Sequence, residues 1–90
     1  MSNSQRRKGK AGELELARLL RDLLGADVAR NLVQSREGGA DLLGLPGWAV
    51  EVKRAARARL SEWWLQACQQ AESTGQKPAL FYRLDRQPWR

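Results

Sequence analysis

The stretch Trp48-Ala49-Val50-Glu51-Val52-Lys53-Arg54 organises the reading of the whole chain. Trp48, Val50 and Val52 alternate with Ala49, Glu51 and Lys53, the period of two that sends successive side chains to opposite faces of a strand. Residues two apart on a strand stand side by side, about 7 Å apart along the chain. Glu51 and Lys53 therefore share one face while Val50 and Val52 pack behind them. Upstream, Pro46-Gly47 marks a turn, and Ala40 to Leu45 reads as a strand that this turn folds back onto Trp48 to Arg54. Asp41 begins that strand, so the pairing brings a second carboxylate towards Glu51. Asp27 to Val33 reads as an earlier strand, set off by Gly38-Gly39.

Helices flank these strands. From Lys10 to Leu24 the residues Leu16, Ala17, Leu19, Leu20, Leu23 and Leu24 recur at helical spacing, and Gly25 is a C-terminal cap. Downstream, Ser61 reads as an N-cap with Leu60 and Leu65 as a hydrophobic staple. The helix then runs from Glu62 to Thr74 before Gly75, with Trp64, Cys68 and Ala71 as its buried stripe. Trp63, Gln66 and Gln70 form an adjoining edge able to approach a ligand. Pro78 introduces a last strand, Ala79 to Leu84. The predicted order is helix, three strands, helix, strand.

A wheel of the first helix puts Glu13 on the apolar face, three, four and seven residues before Leu16, Ala17 and Leu20. A carboxylate on an inward face is costly unless it is paired or binds a metal, so Glu13 is the candidate third acid. Glu15 falls on the outer side.

Composition limits the chemistry. The 90 residues, 42% of them hydrophobic, suit one compact domain. Sixteen Lys and Arg against ten Asp and Glu give a net charge of +6, the balance of a protein that meets a polyanion, nucleic acid first. The charge gathers in three groups: Arg6, Arg7, Lys8 and Lys10; Lys53, Arg54, Arg57 and Arg59; and Arg83, Arg86 and Arg90. The longest apolar run, Leu14 to Leu24, is broken by Glu15, Arg18, Arg21 and Asp22, so neither a membrane span nor a secretory signal is expected. A single Cys68 allows no intrachain disulfide and suits an intracellular, cytoplasmic setting. There is no histidine, which removes Ser-His and Cys-His triads and HExxH zinc sites. Catalysis would have to run on carboxylates and lysine.

Taken together, the element order with Ala40-Asp41 and Glu51-Val52-Lys53 resembles the PD-(D/E)XK nuclease superfamily, whose αβββαβ core carries Asp on one strand and (D/E)-x-K on the next. The resemblance spans nearly the whole chain. Within it, Lys8-Gly9-Lys10-Ala11-Gly12-Glu13-Leu14-Glu15-Leu16, then Arg30, then Ala40-Asp41-Leu42-Leu43, is similar to archaeal-type Holliday-junction resolvases and their small phage-encoded relatives. Ala40 stands where the superfamily usually has Pro.

The resemblance implies an α/β restriction-endonuclease-like fold, a mixed sheet flanked by two helices, with residues 1–90 as a single nuclease domain. It implies Mg2+, or Mn2+ in its place, bound by Asp41, Glu51, the Val52 carbonyl and, directly or through water, Glu13. Lys53 would orient the attacking water. Arg30 matches the resolvase arginine expected to reach the phosphate, and Ser35 loosely matches a resolvase serine. Lys8, Lys10, Arg54 and Arg57 are further candidate phosphate contacts. Trp63 and Trp89 exceed what so small a core needs and suggest an association surface, as in a homodimer acting on a two-fold symmetric DNA junction. Cutting of flaps, nicks or linear ends, or a catalytically silent DNA-binding module, are the other readings, because one fold carries many specificities.

Overall fold

The computed structural model describes residues 3–32 and 39–90, with side chains from Arg7 onward. Helix α1 spans Asn3–Leu24 and is followed by the short strands β1, Ala29–Arg30, and β2, Leu42–Leu43. Then come β3, Trp48–Ala55, helix α2, Leu60–Thr74, and β4, Lys77–Leu84. The four strands lie in the order β1-β2-β3-β4. The first two pairings are antiparallel and β3 runs parallel to β4, with α2 as the crossover that a parallel pair requires.

The alternation along β3 divides the two helices between the two faces of the sheet. Val50 and Val52, paired with Ala79 and Phe81, pack against Leu16, Ala17 and Leu20 of α1 with Val28 and Leu42. On the opposite face Ala49 packs with Ala40 and with Ala71 of α2, and Trp63 of α2 meets Tyr82, the neighbour of Lys53 in register, with ring centroids 5.7 Å apart. Glu51 and Lys53 thus point towards α2, with the valines packed behind them on the opposite face.

Several sequence expectations shift. The first helix begins at Asn3, not Lys10: hydrophobic periodicity marks only the turns that touch the core, and the earlier turns are polar. Regular pairing in β1 and β2 is shorter than Asp27 to Val33 and Ala40 to Leu45, and residues 33–38 of that region lie outside the described residues.

The second helix starts at Leu60 with Arg59 as N-cap and no side-chain cap, so Ser61 sits inside the first turn. Leu60 and Leu65 are both exposed and form no buried staple. Its buried stripe is Trp63, Ala67 and Ala71, a rotation of about one residue from Trp64, Cys68 and Ala71. Trp63 is 7% exposed and Trp64 48%. Both stripes satisfy helical spacing, and docking on Tyr82 selects between them. Trp63 and Trp89 therefore supply no exposed association surface: Trp63 is buried, and Trp89 packs against the main core.

The last strand starts at Lys77 and includes Pro78, whose register partner is Ala49. Beyond β4 the chain returns on itself, and Tyr82 and Arg90 exchange both backbone hydrogen bonds at 2.8 Å. Glycine caps both helices in the left-handed region, with φ 65° at Gly25 and 68° at Gly75.

Candidate active site

Strand β3 contributes the centre of the site. Its alternation aims Glu51 into the interior under α2, and that side chain is buried, with the residue only 3% exposed. Lys53, two residues on, reaches back so that Nζ lies 3.3 Å from Glu51 Oε1. The other oxygen, Glu51 Oε2, is buried without a hydrogen-bond partner. A buried carboxylate oxygen left in this state is costly unless something cationic meets it.

Asp41 stands immediately before β2, the neighbouring strand, and not on it as the sequence reading expected. Its N–H donates to the Val50 carbonyl at 2.7 Å, and its Oδ2 accepts the Val52 N–H at 2.7 Å. The backbone of β3 thereby fixes one oxygen of Asp41 next to Glu51. Burial pushes the Glu51 carboxyl up to about 7, assisted by the Asp41 charge and opposed by Lys53. The protein thus holds two carboxylates together at an electrostatic cost that a cation would relieve.

Glu13 enters the same cleft from α1, half-buried as the wheel predicts. Burial also raises its carboxyl above the usual value, opposed by the Arg30 hydrogen bond. Arg30 Nε donates to Glu13 Oε1 at 2.8 Å, so the acid of the first helix is engaged by the arginine of the first strand. Among the described residues no three His, Cys, Asp or Glu side chains already converge as a metal-holding group.

The cleft has a volume of about 790 Å³ and is lined by Glu13, Asp41 and Glu51 with Val52, Trp63 and Gln66, within a rim of Lys10, Arg30, Lys53, Arg54, Arg57 and Arg59. Three acids and six cations thus line one cleft. Of the residues expected here, Lys10, Arg30, Arg54, Arg57 and Gln66 line the cleft.

Lys8 does not: its Nζ lies 2.8 Å from Asp85 Oδ1, and this contact holds the Asp85 carboxyl below its usual value. Gln70 does not line it either, since its Oε1 accepts the Gly39 N–H. Ser35 lies outside the described residues.

Arg54 is partly buried between the cleft and α1, and its Nε has no hydrogen-bond partner. Its stem crosses α1 at Gly12, where a Cβ would overlap Arg54 Cγ, which gives the Gly12 of the first-helix motif a steric reason. Its guanidinium lies 3.9 Å from Glu15 and 3.7 Å from Asp85. Glu15, placed by the sequence on the outer side of the helix, also accepts hydrogen bonds from Arg83 and from Trp89 Nε1, the latter at 2.8 Å. Sequence reading placed Arg59 in a basic cluster but gave it no role; it sits in the cleft at the N-cap of α2. Its spacing of two from Arg57 in a basic cluster is the signal that could have found it.

Two helices on either side of a four-stranded mixed sheet, with Asp immediately before one strand and Glu-x-Lys on the next, define a restriction-endonuclease-like fold of the PD-(D/E)XK type. A family model described as "Phage putative PDDEXK endonuclease" matches residues 4–90, and the chain belongs to that family. Among solved structures it is similar in fold to Archaeoglobus fulgidus Hjc, a Holliday junction resolvase from an archaeal hyperthermophile. The TM-score is 0.65 at 24% identity, covering 92% of this chain and 70% of that one. No curated protein matches the chain. Among the described residues no helix is long and apolar enough to cross a membrane.

Proposed function

We propose that the protein is a Mg2+-dependent DNA endonuclease that hydrolyses phosphodiester bonds in branched DNA, four-way junctions above all, as a homodimer. One observation carries the reading: the buried, unpartnered Glu51 Oε2 beside Asp41 and Lys53, inside a cleft rimmed by cations. The donor set is all oxygen, which suits Mg2+ or Mn2+. Asp41, Glu51 and the Val52 carbonyl would hold the ion, with Glu13 joining directly or through water. When bound, such an ion polarises the scissile phosphate and acidifies a water.

The chain's own groups do the rest. Lys53, anchored on Glu51, orients the attacking water and offsets charge that develops on the phosphate. Arg30, Lys10, Arg54, Arg57 and Arg59 hold phosphates and set the strand's register over the floor of acids. Arg30 can exchange its carboxylate partner for a phosphate, which frees Glu13 for the ion. No proton carrier of the histidine type is required.

The similarity in fold to Hjc favours junctions as substrate, and two-fold symmetry of a junction favours a dimer. The test is cleavage of supercoiled plasmid, linear duplex, flap and four-way-junction DNA under Mg2+ and under EDTA, with Asp41→Asn and Lys53→Ala alongside. Junction cutting that needs Mg2+ and vanishes in both variants is expected. Cutting confined to flaps, nicks or ends would move the substrate assignment, and salt-sensitive binding without cutting would leave a DNA-binding module.

A further inference from the structure

The dipeptide Gly39-Ala40, which leads into Asp41, is gripped from outside its own strand. Gln70 on α2 accepts the Gly39 N–H through Oε1. Asn31, just past β1, donates from Nδ2 to the Ala40 carbonyl at 2.9 Å. The Ala40 methyl packs with Ala49 and Ala71. Asn31 acts twice, because its backbone N–H also donates to the Asp41 carbonyl at 2.9 Å.

Local sequence does not impose this conformation. Gly39 sits at φ 108°, a region glycine enters freely and leaves as freely. Ala40 has no ring to fix its own φ, as proline would. Regular pairing begins only at Leu42, so the ladder does not reach back to Gly39. Without outside partners the backbone before Asp41 would sample several conformations, and the hydrogen bonds of Asp41 to the Val50 carbonyl and the Val52 N–H would have to hold the carboxylate without support from upstream. Gln70 is not part of the cleft lining, so its engaged oxygen serves the backbone and not the substrate.

We propose that Gln70 and Asn31 are positioning residues that clamp Gly39-Ala40 and so hold the Asp41 carboxylate at the cation site. The proposal rests on the metal-dependent reading of that site. Outer partners that orient metal ligands typically change metal affinity or activity by about tenfold or more when removed.

The test compares the full-length parent with Gln70→Leu, Gln70→Glu and Asn31→Asp. Gln70→Leu removes the acceptor at similar volume, Gln70→Glu keeps it, and Asn31→Asp removes the donor to Ala40. Calorimetry with Mg2+ alone, without DNA, is expected to give weaker binding by about tenfold for Gln70→Leu and Asn31→Asp, and binding within about twofold of the parent for Gln70→Glu. The Gly39 amide proton resonance should move upfield in Gln70→Leu and stay in place in Gln70→Glu. In cleavage assays the half-saturating Mg2+ should rise in step, with KM for DNA unchanged.

Should Gln70→Leu fail to fold, Asn31→Asp carries the same measurement. Folded Gln70→Leu and Asn31→Asp proteins that bind Mg2+ as the parent does overturn the clamp. A parent that binds Mg2+ yet cuts no DNA overturns the nuclease reading alone, since the binding measurement decides the clamp by itself. A parent that binds no Mg2+ overturns both.

Discussion

Replacing Glu51 by Gln tests the central electrostatic feature of the site without any assumption about substrate. Glu51 is 3% exposed, and its carboxyl is raised from 4.5 to about 7 by burial first and by Asp41 second. A carboxyl that is harder to ionise in the folded chain contributes stability that is fully present below 4.5 and lost as the pH rises through about 7. At about 1.4 kcal/mol per pH unit, the interval from 4.5 to about 7 amounts to about 3 kcal/mol. Glu13, raised in the same direction by its own burial, adds to the same trend. Gln is the neutral counterpart of the protonated acid and removes the Glu51 contribution to that slope. In EDTA at pH 8, Glu51→Gln should therefore melt above the parent by about 15 °C for a chain of this size, and the difference should shrink to a few degrees near pH 4.5. Mg2+ should raise the melting temperature of the parent and scarcely move the variant, because a ligand stabilises only the state that binds it. A Glu51→Gln protein that melts at or below the parent at pH 8 without metal would refute the argument that two acids are held together at a cost.

Further outcomes follow from particular contacts. Arg30→Ala should strengthen Mg2+ binding by the DNA-free protein severalfold, and should do so much less in a Glu13→Gln background, since the Glu13–Arg30 pair at 2.8 Å is what the ion must break; equal effects in both backgrounds, measured by calorimetry, would exclude that exchange. Trp63→Ala should cost about 3 kcal/mol or more by loss of buried packing, whereas Trp64→Ala should change the urea midpoint little; the reverse ranking would contradict the stripe of α2. Glu15→Ala should release Trp89 and Arg83, with a stability loss of about 1 kcal/mol or less because the carboxylate is partly solvated and a red shift of Trp emission; unchanged fluorescence would count against the Glu15 anchor.

The strand at the centre of the sequence was sufficient to specify much of this. Period two in Trp48 to Arg54 determined that Glu51 and Lys53 share a face backed by valines, and the Pro46-Gly47 turn determined that Asp41 comes alongside. Helical spacing likewise put Glu13 on the inward side of α1, because the positions of side chains on one regular element follow from its geometry alone. Relations between elements do not. Whether α2 buries Trp63 or Trp64 depends on where Tyr82 of β4 stands, and the two choices differ by one residue of rotation that spacing cannot resolve. The pairing of Glu13 with Arg30 and of Glu15 with Arg83 and Trp89, the passage of Arg54 over Gly12, and the grip of Gln70 on Gly39 all join residues distant in the chain. Each of these charged or amide side chains has several possible partners of suitable chemistry, and only the packing of the two helices on opposite faces of the sheet selects among them.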